Sequence, residues 1–493
     1  MKSRMITGTG IALFAVVSVV TGLGAQEQEA GQNASRVVFK TLLTLDNADG
    51  SPWAGLVQGT DGNLYGDSFG GTDGIVFKIT PQGKLTTIHN FDGTDGNGPQ
   101  TALVLATDGN FYGTTYFGGP DPNACNGTGC GTVFKITPAG ALTVLHSFDG
   151  SCTQTTDCPG GAGPGALVQG SDGNFYGTTY LGGTCYDGCG TVFKITPNGV
   201  LTTLYDFSSS NDGGYSPYYL AGLVQGTDGN LYGTTTQGGS CTRFGGCGTV
   251  FKITPQGALT TLHSFTGTGA EGWGPGGTLI EATDGNFYGT TGGGGSSQSC
   301  APFSCGTVFK ITPQGTFTTL TSLTFPVGWG PSGLVQGTDG NFYGTGANGG
   351  GPGNYGTVFE ITPEGVLTRL HSFNNSGGDT PVAGLVQATN GTFYGTTLKS
   401  ETGYGTVYSV SVGLGPFIKS VPTAGKTGTA VKILGNNLAL ATGVTFNGVV
   451  ATFTVESSTY LKTTVPTGAT TGQVQVTLPS GTLTSNVNFQ VLP

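Results

Sequence analysis

The 493-residue sequence predicts an all-β fold built from seven four-stranded units, and three observations carry that prediction. The stretch GTDGNLYGTT, 226–235, has close copies around Asp61, Asp108, Asp172, Asp284 and Asp339, and a looser one, ATNGTFYGTT, with Asn390 in the Asp place. The Asp positions step by 47, 64, 56, 56 and 55 residues, then 51 to Asn390, and self-similarity at such a period marks repeated supersecondary units. Within each unit, short apolar runs rich in β-branched and aromatic residues alternate with turn residues, which is the pattern of antiparallel strands.

The chain opens MKSRMITGTGIALFAVVSVVTGLGAQ. Lys2 and Arg4 precede an apolar run from Ile11 to Val20, and Gly22 and Gly24 supply small residues. Residues 1–25 therefore read as a bacterial secretory signal peptide, too short and wrongly flanked to be a membrane span, with 26–35 a linker. No later run of eighteen or more apolar residues occurs, so no membrane insertion is expected after cleavage. The mature protein is expected outside the cytoplasm, secreted or at the cell surface.

Each unit then reads GLVQ, TDGN, LYGTT, a variable loop, GTVFKITP, a two-residue link such as QG, and LTTLHSF. The four apolar runs become strands A, B, C and D. Asp-Gly suits a tight A–B hairpin and Pro-x-Gly a tight C–D turn. Units of this length with four strands predict a β-propeller. The seventh unit has A, B and C (Gly405 to Val412) but no LTTLHSF after it. FKTLLTL, Phe39 to Leu45, aligns without gaps to LTTIHNF, Leu85 to Phe91. An N-terminal strand completing the last sheet predicts a seven-bladed β-propeller over 36–412 closed by that strand; a solenoid needs polar caps at distant ends instead. Aromatic rows of the Tyr65, Phe77 and Phe91 type supply the core, each ring burying roughly 150 to 250 Å².

The pattern GLVQxTDGNxYGTTxxGG followed by GTVFKITPxGxLTTLHSF resembles the GloVer tandem repeats of bacterial exported choice-of-anchor proteins, over about residues 36 to 412. The resemblance implies repeat architecture and no established reaction. Residues 413–493 resemble an IPT/TIG domain, an immunoglobulin-like β-sandwich, through Pro422, Gly428, Ile433, Gly435, Asn437, Leu438, Val444, Phe446, Gly448 and VPTGATTGQVQVTLPSG. That resemblance implies a spacer or adhesive module rather than a catalyst.

Only 9% of residues are charged and the net charge is −10, which disfavours nucleic acid, since binding it requires clustered Lys and Arg. The recurring Asp offers one Asp and one Asn around a Gly, too few oxygens for a calcium loop, and Asn390 suits the same turn without charge. No metal or cofactor is expected. His89, His146, His263 and His371 share one position in strand D, the outermost strand of a propeller, where they cannot converge for catalysis. The recurring Lys of FKIT (Lys78, Lys135, Lys194, Lys252, Lys310), replaced by Glu360 and Ser409, reads as a snorkelling edge residue. No GxSxG, HExxH or Walker-type sequence is present.

The ten cysteines form five local pairs, Cys125/Cys130, Cys152/Cys158, Cys185/Cys189, Cys241/Cys247 and Cys300/Cys305, which in an exported chain predict disulfides. Four pairs lie in B–C loops and one, Cys152/Cys158, in a D–A loop; in a propeller both loop classes emerge on one face. Near the D–A prolines on that face lie Trp53, Tyr215, Tyr218, Trp273 and Trp329, aromatic rings suited to stacking on sugars or to covering the sheet ends. The function expected is that of a monomeric, non-catalytic exported protein whose loop face binds an extracellular glycan or protein, with the IPT/TIG domain as spacer or second contact. An extracellular carbohydrate-active enzyme at the channel mouth and a structural envelope component are the alternatives.

Overall fold

The computed structural model describes residues 37–121, 123–149, 158–183, 189–208, 214–215, 222–239, 241, 246–268, 270–297, 299–300 and 304–493. The expected leader and linker lie outside these. The architecture is all-β. The repeats form seven antiparallel sheets ordered A-B-C-D. In the first, A is Val57–Gln58, B Leu64–Ser68, C Ile75–Ile79 and D Leu85–Asn90. Strand A is shorter than its apolar run suggests, only two residues, because Gly55 and Leu56 lie outside the ladder with strand B. In the third, fifth and sixth sheets a further segment (Cys158–Pro164, Trp273–Pro275, Trp329–Pro331) pairs with a lengthened B.

The last sheet takes its fourth strand from the other end of the chain: Val38–Thr44 pairs antiparallel with Thr406–Ser411. The register is the one that the alignment of Phe39 with Leu85 requires. Phe39 faces Val410 as Leu85 faces Ile79, and the irregularity between Thr41 and Leu43 repeats the one between strands C and D in the first sheet. At the irregularity Leu42 takes the place of Ile88. The Pro-x-Gly turns rest on these bulged residues of the preceding sheet. A Cβ at Gly83, where φ is +96°, would lie 2.5 Å from the Leu42 carbonyl oxygen, so only glycine fits.

Strand B is buried throughout while D is partly exposed, so each sheet is covered by its neighbours on both faces at B. The covering is aromatic: Tyr65 packs on Phe111 at 4.2 Å between centroids, Tyr112 on Phe175 at 4.0 Å and Tyr343 on Phe393 at 4.2 Å, each from one repeat to the next. Between the seventh repeat and the first, Leu64 stands in place of the phenylalanine, while two other inter-repeat contacts recur there. A Cβ at Gly131 would meet Pro164 Cδ at 2.6 Å, and one at Gly405 would meet Pro52 Cδ at 2.7 Å. Thr114 Oγ1 donates to the Gly165 carbonyl at 3.1 Å, and Thr396 Oγ1 to that of Ala54 at 3.1 Å.

Residues from Phe417 onward form a second unit. One sheet contains Lys419–Val421, Ala430–Leu434, Tyr460–Thr464 and Phe453–Val455; the other contains Val449–Ala451, Gly443–Phe446, Val474–Leu478 and Gly481–Thr484. Ile433, Leu438, Val444, Phe446, Leu461 and Val476 fill the space between them. This unit is not held at a distance. It sits on the TDGN turns of the repeats: Thr459 Oγ1 donates to the Thr60 carbonyl at 2.8 Å, Lys432 Nζ to that of Thr107, and Gln490 Nε2 to that of Thr227. Asn436 Nδ2 donates to Thr389 Oγ1 at 3.1 Å. Leu434 joins the apolar cluster of Tyr65, Leu103 and Leu105.

Candidate functional site

The repeated Asp is a structural hub. Asp108 accepts from the backbone N–H of Asn110 at 3.0 Å, from its Nδ2 at 2.8 Å, from the Tyr112 hydroxyl at 3.0 Å and from Lys135 Nζ at 2.8 Å. Burial alone would raise its pKa; the bonds from Lys135, Asn110 and Tyr112 outweigh that and hold it at about 2. Asn390 keeps the turn by the reverse polarity, its Nδ2 donating to the Tyr394 hydroxyl at 3.0 Å. The FKIT lysine does more than lie along an edge. Lys310 pairs with Asp284 at 2.8 Å and Lys78 with Asp61 at 3.9 Å. Where Glu360 replaces it, the carboxylate accepts from Asn341 Nδ2 at 2.6 Å.

The glutamine of GLVQ carries no motif that sequence reasoning singled out, yet it ties the repeats together. Gln169 Oε1 accepts from Thr107 N at 2.9 Å, Gln225 Oε1 from Ser171 N at 2.7 Å and Gln336 Oε1 from Thr283 N at 2.9 Å, always from the TDGN turn of the preceding repeat. Glu281 does the same to Thr227. Gln58 accepts from Thr389 N at 2.9 Å and donates to Thr389 Oγ1 at 3.0 Å, joining the first repeat to the seventh. Leu105 stands at this position in the second repeat, and there Leu434 of the second unit packs. The signal in the sequence was the recurrence of one polar residue at the end of an apolar strand.

At the opposite ends of the sheets the cysteine loops and the D–A segments meet. Disulfides join Cys125 to Cys130, Cys241 to Cys247 and Cys300 to Cys305, and Cys189 is disulfide-bonded. Cys152, Cys185 and the side chain of Cys158 lie outside the described residues. The second cysteine of each of these three bridges offers its carbonyl to the next repeat: Gly163 N donates to Cys130 O at 3.0 Å, Gly274 N to Cys247 O at 2.8 Å and Gly330 N to Cys305 O at 3.3 Å. Trp273 and Trp329 immediately precede two of these glycines. They are half-buried, Trp273 against the apolar cluster that contains Cys247 and Trp329 against the one that contains Cys300 and Cys305, with Trp329 Nε1 donating to Asn354 Oδ1 at 3.3 Å. Trp53 is half-buried beside Pro52 in the corresponding segment of the first repeat. Tyr215 lies on a two-residue strand, its side chain outside the described residues, and Tyr218 lies outside them entirely.

The histidines are held singly on strand D. His89 Nε2 is 2.7 Å from Asp95 and His263 Nε2 is 2.5 Å from Glu271. His371 stacks on Phe39 with centroids 3.5 Å apart, and burial pushes its pKa down to about 4. Among the described residues no group of three or more His, Cys, Asp or Glu is placed to hold a metal ion, and no helix is long and apolar enough to cross a membrane.

Asp67 and Lys419 depart from this satisfied pattern. Asp67 stands where the other six repeats have Thr114, Thr178, Thr234, Thr290, Thr345 and Thr396. It is buried, neither oxygen has a hydrogen-bond partner among the described residues, and burial raises its pKa well above the usual carboxylate range. The other is Lys419, which lines a cavity of about 300 Å³ between strands A of the repeats and the second unit. Its pKa is pushed down to about 8 by burial.

The sequence matches the Gloeobacter/Verrucomicrobia repeat over residues 32–215, 128–305 and 298–448, and the IPT/TIG domain over 416–491. Among solved structures the chain is similar to virginiamycin B lyase from Staphylococcus aureus. For the catalytically inactive enzyme with quinupristin the TM-score is 0.51 at 16% identity, covering 76% of this chain and 99% of that one. For the selenomethionine-substituted enzyme it is 0.50 at 16% identity, covering 76% and 98%. At this identity the likeness is one of fold, a β-propeller-like arrangement, and not of activity. None of the curated proteins matches the chain. The chain belongs to the Gloeobacter/Verrucomicrobia repeat family and carries an IPT/TIG domain after its repeats.

Proposed function

We propose that this is an exported, non-catalytic binding protein in which the repeats form a seven-bladed propeller closed by the N-terminal strand, and that its cysteine-bridged loop face engages an extracellular glycan or protein. The observation that carries the reading is the seat of the IPT/TIG domain. It occupies the TDGN face through Thr60, Thr107, Thr227 and Thr389, so the face left for a macromolecule is the one bearing the disulfides and the tryptophans. Variable loops on a rigid scaffold are the usual place for recognition. Here the disulfides set the carbonyls on which the Trp273 and Trp329 segments hang, which favours a surface organised before binding. On this reading the IPT/TIG domain closes the opposite side.

The test is a glycan panel and an extracellular-protein panel applied to the mature protein, read by tryptophan fluorescence with product analysis alongside. Saturable quenching without product, weakened about tenfold or more in Trp273→Ala or Trp329→Ala, supports the reading. Turnover of a polysaccharide would replace it with a hydrolase or lyase. Binding that survives loss of Trp53, Trp273 and Trp329 together would remove these residues from the site.

A further inference from the structure

The cavity beneath the docked IPT/TIG domain is separate from the loop face. Its walls are Val386 from the seventh repeat, Val57 and Gln58 from the first, Leu103, Val104 and Leu105 from the second, and Lys419, Val421 and Leu434 from the second unit. Seven of these nine residues are aliphatic. The amide of Gln58 is spent on Thr389 through both its atoms. Lys419 is the one charged group in the wall. It is half-buried and lines the cavity. Among the described residues it has no carboxylate partner; its ammonium lies 5.7 Å from the Phe417 ring centroid, the only charge-stabilising contact it makes there.

An ammonium set among valines and leucines without a counter-ion is partly desolvated with nothing to offset it, and a repeat protein has no architectural need of it: the remaining docking contacts are made by Thr459, Lys432, Gln490 and Asn436. We propose that the cavity is a binding site for a small organic monocarboxylate, its carboxylate paired with Lys419 and its apolar body against Val57, Val104, Leu105 and Val421. One cation balances one negative charge, and aliphatic walls cannot solvate the second charge of a phosphate or sulfate dianion. A volume of about 300 Å³ is at the small end of ligand pockets, which suits a short-chain or single-ring acid.

The test measures hexanoate and benzoate binding to the full mature protein by calorimetry, with 1-hexanol and benzyl alcohol as uncharged counterparts. Both acids are expected to bind saturably. Lys419→Met, which keeps the chain length and removes the charge, is expected to lose about tenfold or more of the acid affinity while still taking the alcohols. Leu105→Phe, which narrows the cavity and leaves Lys419 in place, is expected to lose acids and alcohols alike, with unchanged far-ultraviolet circular dichroism. Replacing Trp53, Trp273 and Trp329 should leave acid binding untouched, so failure here is distinguishable from failure at the loop face. The proposal is overturned if neither acid binds the unsubstituted protein, or if Lys419→Met binds them equally well.

Discussion

At Asp67 the repeat pattern breaks in a way that has a measurable cost. At four of the equivalent positions in other repeats the threonine donates to a carbonyl just ahead of strand A in the next repeat, as Thr345 does to Ala383 at 3.0 Å and Thr290 to Ser332 at 3.2 Å. A carboxylate cannot donate, and a buried one is penalised, so the folded state retains the proton. The folded pKa is raised above the unfolded one, so stability falls as pH rises from about 4 through the folded value. Asp67→Thr should therefore stabilise the protein by roughly 1 to 3 kcal/mol at neutral pH, with a gain that shrinks toward pH 4, in urea midpoints taken across that range. Asp108 has the opposite sign. Held down at about 2 despite its burial, it contributes stability above pH 4 that is lost as pH falls from about 4 to 2. Lys135→Met should cost roughly 1 kcal/mol at pH 7, a partly exposed pair, and progressively less as the pH falls toward 2 and Asp108 takes up its proton. Both signs follow from which partner each carboxyl has, and only Asp67 could have been suspected from the aligned repeats.

Single strands and turns carry the next set of consequences. The segment Val38–Thr44 covers the edge of Thr406–Ser411, and without it that edge would present unpaired backbone groups beside the buried Val407, Tyr408 and Val410. Removing residues 37–45 should therefore yield oligomers or aggregates in size-exclusion chromatography rather than a smaller monomer. The loops behave differently. Cys241 and Cys247 close only a short ring, so replacing both with Ala should cost roughly 2 to 3 kcal/mol. The Cys247 carbonyl that holds Gly274 would then be less fixed, and hydrogen exchange should rise at residues 272–275 while strands B and C stay protected.

Across the whole molecule, the docked second unit joins residues separated by hundreds of positions: Thr459 reaches Thr60 and Gln490 reaches Thr227. Charge assists the docking. Lys432 bonds Thr107, next to Asp108; burial lowers its pKa and Asp108 works in the other direction. Lys432→Glu would set two carboxylates against each other at this junction and should weaken docking by about 2 kcal/mol or more. Small-angle scattering would then report a longer maximum dimension, and proteolysis at residues 412–416 would quicken. An unchanged scattering profile in this variant would mean that the apolar contact of Leu434 with Leu103 and Leu105 holds the units together unaided.

What the sequence determined by itself was whatever recurs or is local. The period set the number of sheets, turn chemistry set the A–B and C–D connections, and the alignment of Phe39 with Leu85 set a register that the strand follows down to its bulge at Leu42. Close cysteine spacing likewise sufficed for the pairs Cys125/Cys130, Cys241/Cys247 and Cys300/Cys305. Only the tertiary structure decided that the IPT/TIG unit lies on the TDGN turns, that the strand-A glutamines bind the preceding repeat, that Trp273 and Trp329 join the apolar clusters containing the bridged cysteines, and that Lys419 lines a cavity. Strand periodicity and turn preference act over a few residues and leave their mark in composition. The seating of one domain on another depends on which side chains meet across the folded surface, and no period in the chain records that meeting.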